Sequence, residues 1–183
     1  MNASAAPIRF TATLQRPATP KNATWRFLRL PKAASAKLPS RGMVSVTGTL
    51  GGHDFKATLE PDGEDGHWLK VPRALHETAG VDAGERVAVM VRAVDKEPEP
   101  RVPADLRAAL DAIPAAKAQW SAITPVARRD FVQWVTTARQ AETRARRIRN
   151  GCDMLAAGKR RVCCFDRSGK YSRGNMGVPE ASE

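Results

Sequence analysis

The sequence predicts an α+β protein: a small N-terminal β-barrel followed by a C-terminal α-helical domain. Three observations predict it. Through the first half of the chain apolar residues recur at every second position. Beyond residue 103 they recur at the helical period of 3.6. A proline-rich, charged stretch, residues 96–103, separates the two rhythms. A length of 183 residues allows one domain or two small ones. The rhythms place one over 1–95 and another over 104–170, with a loose tail over 171–183.

The strands follow in order. Ile8, Phe10, Ala12 and Leu14 alternate with Arg9, Thr11, Thr13 and Gln15, as a strand with one wet face requires. Trp25 to Leu30 is apolar on both faces and reads as a central or covered strand. Val44, Val46, Gly48 and Leu50 share one face, and Phe55, Ala57 and Leu59 share the next. Gly51-Gly52 joins these two runs and supplies the positive φ of a tight hairpin. Residues 61–66, PDGEDG, form a longer acidic loop before a strand at His67 to Val71. Val87, Val89 and Val91 give the last strand. Pro31 to Leu38 and Pro72 to Ala79 read as short helical crossovers, the second closed by Gly80. Five or six short strands with two helical turns are best satisfied by a barrel, which hides its edges.

The prolines of residues 95–103 remove the amide hydrogens a continuing strand needs, so the sheet stops there. Leu106, Ala109, Leu110 and Ile113 then follow helical spacing, with Pro114 as a terminator. Thr124-Pro125 is a helix start, Thr as N-cap and Pro at the first position. Phe131, Trp134, Val135 and Ala138 form one apolar stripe; Ala141, Ala145, Ile148, Cys152 and Leu155 form a second in a different phase. The phase shift predicts a break near 140–143. Gly158 ends the helix.

Composition narrows the class of function. Apolar residues make up 42% and charged residues 27%, which excludes wholesale disorder. No apolar run reaches the roughly 18 residues of a membrane span, and no secretory leader is visible. A cytoplasmic protein is expected. The net charge is +11 and uneven: residues 144–173 carry ten basic groups against two acidic ones. Such a region draws acidic protein, nucleic acid or anionic surfaces, or simply solubilises the chain.

The sharpest polar feature is the arginine cluster Arg144, Arg146, Arg147 and Arg149, followed by Arg160 and Arg161. Guanidinium forks suit phosphate or carboxylate. The cluster can bind an anion, or tie the helical domain to barrel carboxylates such as Glu60, Asp82 or Glu85. Arg144 and Arg147 are expected on neighbouring rims of the apolar stripe, Arg146 and Arg149 on its other edge. Cys163 and Cys164 adjoin Arg160, Arg161 and Arg167; positive charge favours thiolate, which makes the pair a redox candidate. No Cys/His spacing completes a metal set. His53 and His67 fall on successive strands, where they can face each other, although surface placement is the simpler expectation. No nucleophile elbow or P-loop accompanies them, so no catalytic residue and no cofactor is assigned. Trp25, Trp68, Trp120 and Trp134 read as packing residues. Trp68, opposite Leu69, is expected to face outward, and Trp25 beside Arg26 and Arg29 is the one local match to a stacking platform.

Two runs carry a resemblance. Trp25-Arg26-Phe27-Leu28-Arg29-Leu30-Pro31, Arg41-Gly42 and Val44 to Gly52, with Phe55, resemble a bacterial domain of unknown function, which implies a double-split β-barrel. Pro125 to Phe131 and Trp134, then Glu142-Thr143-Arg144 and Arg146-Arg147-Ile148, resemble the bacteriocin-protection, YdeI or OmpD-associated family; Gly158 to Arg161 and Cys163-Cys164-Phe165 fit the same two-domain proteins. The resemblance spans about residues 7–170. It implies a protective phenotype and supplies no catalytic residue. The expectation is a non-enzymatic binding or stress-protection protein that offers an arginine-rich face to an acidic partner or small anion. Two alternatives stand beside it: a nucleic-acid-binding regulator of split-barrel type, and an enzyme with its site at the barrel–helix junction. The implied barrel is distantly similar to antitoxin-type barrels, which often pair, and this leaves a homodimer open.

Overall fold

The computed structural model describes residues 5–162 and 177–182. The described residues divide into two compact units, residues 5–96 with 177–182, and residues 97–162.

The first unit is a nearly closed, six-stranded antiparallel barrel. Its strands are β1 (Ile8–Thr13), β2 (Arg26–Arg29), β3 (Val44–Leu50), β4 (His53–Pro61), β5 (His67–Val71) and β6 (Arg86–Ala93). Helix α1 (Lys32–Ser35) follows β2 and α2 (Arg73–Thr78) follows β5. The sheet order is β1-β6-β3-β4-β5-β2. The two end strands meet through one bridge, Gln15 with Phe27, whose amides and carbonyls exchange hydrogen bonds of 2.7 and 2.9 Å. Alternate residues point inward, so Leu14, Leu28, Val46, Leu50, Leu59, Leu69, Val71 and Val91 fill one core. The β3–β4 hairpin turns on Gly51 and Gly52, at φ 56° and 86°, with Leu50 opposite His53. Gly48 has a steric reason of its own: a Cβ there would sit 2.0 Å from the Met90 carbonyl oxygen.

The second unit packs α3 (Ala104–Ala112), α4 (Pro114–Ala122), α5 (Pro125–Thr136) and α6 (Ala141–Ala156) around Leu106, Leu110, Ala116, Ile123, Phe131, Val135, Ile148, Cys152 and Leu155. Thr124 caps α5, its hydroxyl accepting from the Ala127 amide at 3.3 Å. Phe131, Trp134 and Val135 of the first apolar stripe and Ile148, Cys152 and Leu155 of the second meet in this one core. None of these helices is long and apolar enough to cross a membrane.

Several expectations change. The apolar strand β2 stands last in the sheet order, not in the middle. Its outer face is covered by aromatics: Phe27 lies 6.4 Å from Trp25 and 6.2 Å, edge-on, from Trp68. Trp68 is on that outer face, as alternation requires, and is nonetheless buried. Pro114 ends α3 but also opens α4, a helix the sequence pattern missed. Proline costs nothing at the first helical position, where the amide is unpaired anyway. Ala141 and Ala145 are exposed, and the buried face of α6 is Ile148, Gly151, Cys152 and Leu155. The expected loose tail is paired at 180–182. Ala181 bridges Pro17 antiparallel, the Ala18 amide donates to Glu180 O and the Ser182 amide to Arg16 O, both at 2.8 Å.

Candidate functional site

The arginines fall into two groups, those spent on holding the helical unit together and those left to solvent. Arg144 belongs to the first. Its Nε and Nη2 donate to the two carboxylate oxygens of Asp105 on α3, at 2.6 and 3.0 Å. This fork raises the Arg144 pKa and holds the Asp105 carboxyl below its ordinary value. The carboxylate that Arg144 engages is therefore in its own unit. Of the barrel acids the sequence offered, Asp82 is taken by Arg26, and Glu85 accepts from the Asp82 amide.

Arg147 is also structural. Its Nη1 donates to the Trp134 carbonyl at 2.6 Å and to the Thr137 hydroxyl at 3.3 Å, satisfying the end of α5. The guanidinium carbon stands 5.6 Å from the Trp134 ring centroid. Burial first, and the charge of Arg146 second, lower its pKa. Two further arginines do similar work and were not singled out in the sequence. Arg128 donates to the carbonyls of Trp120, Ser121 and Ile123, closing the C-terminal end of α4, and to Glu99 at 2.6 Å. Arg129 reaches Glu97 at 2.8 Å, both side chains 14% exposed. No sequence signal marked the role of Arg128, because α4, the helix whose end it closes, was not legible there.

Arg146 and Arg149 form the second group on α6. At about 100° per residue Arg146 points away from the buried face, while Arg149 stands at its edge, and both are exposed. Glu142 and Asp153 lie on the same solvent side, each four residues from an arginine, so this face is close to neutral.

Positive charge is concentrated instead where α6 ends. Gly158 adopts φ 80°, its amide bonds Leu155 O at 2.8 Å, and the Lys159 amide bonds Met154 O at 3.0 Å. This double closure is a Schellman motif. From α4, the Gln119 side-chain amide donates to the carbonyls of Gly158 and Lys159 at 2.9 and 3.2 Å. The backbone is thus pinned just before Arg160. Lys159, Arg160 and Arg161 are all exposed, and no carboxylate pairs with them among the described residues. A fixed backbone with three adjacent free cations suits a carboxylate- or phosphate-bearing partner. Cys163 and Cys164 lie outside the described residues. Cys152 is buried in the helical core, where burial raises its thiol pKa and keeps it neutral.

The barrel holds a cleft of about 470 Å³ lined by Arg16, Lys21, Arg26, Arg73, His76 and Asp82, among others. Its inner polar groups are engaged with one another. Arg26, almost fully buried, donates through Nε to Asp82 and through Nη1 to Trp25 O. That hydrogen bond holds the Asp82 carboxyl at about 2. Arg73 pairs with Glu77 at 2.7 Å, and His76 Nε2 is 3.0 Å from Thr24 O.

The histidines do not meet. His53 is exposed and opposes Leu50, whereas His67 opposes Pro61 at the far end of β4. His67 and His76 are buried, not on the surface. Among the described residues no three metal-ligating side chains are gathered. Trp25 is half-buried under the Lys70 ammonium, 4.5 Å from its centroid.

Residues 99–158 match the family described as bacteriocin-protection, YdeI or OmpD-associated. Residues 10–91 match a domain of unknown function. A comparison with curated proteins gives no match.

Proposed function

With its C-terminal module a member of the bacteriocin-protection, YdeI or OmpD-associated family and its barrel a member of a domain family of unknown function, we propose that this protein works by binding. It is a non-enzymatic stress-protection protein, and it offers a cationic knuckle at the end of α6 to an acidic protein partner. The observation that carries this is the contrast within the helical unit. Arg128, Arg129, Arg144 and Arg147 are locked into carboxylates and helix ends, while Lys159, Arg160 and Arg161 stand exposed on a pinned backbone with no carboxylate partner among the described residues. In the barrel cleft, Arg26 with Asp82 and Arg73 with Glu77 neutralise each other, which supports a structural cleft rather than a reactive one.

The test is titration of the whole chain with polyglutamate and with duplex DNA at rising salt. Polyglutamate binding that weakens as salt screens the contact is expected. No binding at low salt would defeat the proposal. Clear preference for the duplex, with a steep salt slope, would replace it with the nucleic-acid alternative.

A further inference from the structure

The barrel is split at the seam between β4 and β5. All residues of β4 from His53 to Leu59 pair with β3, but towards β5 only Glu60 and Pro61 pair, with Trp68 and His67. Leu69, Lys70 and Val71 pair with β2 alone. Antiparallel ladders alternate, and a two-residue hairpin makes Leu50–His53 a hydrogen-bonded pair. His53, Phe55, Ala57 and Leu59 therefore direct their backbone groups at β3. Asp54, Lys56 and Thr58 direct theirs at the open seam, as Glu60 does where β5 meets it. By the same alternation the Lys70 backbone faces the seam from the other wall.

The seam is a groove, not a crack. Its volume is about 440 Å³, and Phe55, Ala57, Pro72 and Leu75 give it apolar walls, with Lys56 and Lys70 on the rim. Phe55, Ala57 and Leu75 are each half-buried. Open sheet edges recruit extended chain. The barrel itself shows this elsewhere: residues 180–182 lie antiparallel along 16–18, held by backbone bonds at Ala18 and Ser182.

We infer that the β4–β5 seam is a strand-addition site for an extended segment of a partner protein, apolar at alternate positions and acidic at its centre. Backbone pairing with Asp54, Lys56 and Thr58 demands the extended form. The apolar walls take every second side chain. Lys56 and Lys70 select an acidic residue between them, while Asp54 stands at the hairpin end. A second copy of this chain is disfavoured by self-repulsion at a net charge of +11. The site is on the barrel and does not rest on the cationic knuckle of the helical unit.

The test is amide hydrogen exchange of the whole chain with a short synthetic peptide that alternates valine with polar residues around a central glutamate. Slowed exchange at Asp54, Lys56 and Thr58 is expected on binding. N-methylation of one alternate set of peptide amides abolishes binding; methylation of the other set leaves it intact. A central lysine in the peptide, or Lys56→Glu in the protein, weakens binding roughly three- to tenfold. The inference is overturned if both methylated peptides bind equally. It is overturned too if the three amides are already protected in the free protein, by a second copy or by its own chain. Absence of any peptide binding also overturns it, as does binding lost in Arg160→Glu/Arg161→Glu but kept in Lys56→Glu.

Discussion

At Arg26 and Asp82 a buried guanidinium meets a carboxylate that is 57% exposed. The pair fixes the start of β2 against the loop before β6. Asp82 ionises near 2 in the fold and near 3.9 in the unfolded chain. Its contribution is therefore complete above about pH 4 and is lost as pH falls towards 2. Asp82→Asn is expected to lower the melting temperature at pH 7 and to differ little from the parent at pH 2, which melting curves at the two values check. His67 acts in the same sense over a different range. Its Nε2–H donates to Gly42 O at 2.9 Å, and Nδ1 is buried without a partner among the described residues. Burial, the largest cause, pushes its pKa below the ordinary value. The unfolded chain takes up this proton near pH 6.5 while the folded one resists it. Stability is full above that pH and declines as pH falls below it. Melting between pH 7 and 5 should thus be flatter for His67→Gln than for the parent. Neither partnership was legible in the sequence, because alternation assigns a face to a residue and says nothing of which distant loop covers it.

Glycines separate the two kinds of element. Gly48→Ala drives a Cβ of β3 into the Met90 carbonyl of β6. It should cost about 2–3 kcal/mol in denaturant melts. Gly151→Ala places its Cβ 3.7 Å from the Phe131 and Trp134 rings, an ordinary contact inside α6. There the alanine should add about 0.5–1 kcal/mol, by removing freedom from the unfolded chain. Between helices α3 and α6, Arg144→Ala and Asp105→Ala should each cost about 0.5–1 kcal/mol, and the double variant no more than the larger single one. A double-mutant cycle measures this directly. Elements with strong local signals were readable: His67–Val71 as a strand, Thr124-Pro125 as a helix start, Gly158 as a helix end. Helix α4 was not, since Ala116, Trp120 and Ile123 give a weak stripe and Pro114 looked like a stop. Alanine misled in α6 as well, because Ala141 and Ala145 fit a helical spacing while burying little.

For the molecule as a whole, the change from a two-residue to a helical rhythm near residue 100 was enough to give a barrel and then helices. The arginine cluster was visible too, but its division of labour was not. Arg144 and Arg147 are indistinguishable from Arg146 and Arg149 until α3 and the end of α5 are in place. Net charge likewise conceals the balance: Glu142 and Asp153 offset Arg146 and Arg149 on the outer face of α6, whereas Lys159, Arg160 and Arg161 have no carboxylate partner among the described residues. The central claim is that this pinned knuckle, rather than arginine content in general, is the binding surface. The most direct measurement is polyglutamate affinity at low salt for Arg160→Glu/Arg161→Glu beside Arg146→Glu/Arg149→Glu, two variants of identical net charge. The first should lose about tenfold or more and the second several-fold less, since a charge in direct contact with the ligand outweighs one about three helical turns away. Equal losses in the two variants, or parent-like affinity in the first, would contradict the account.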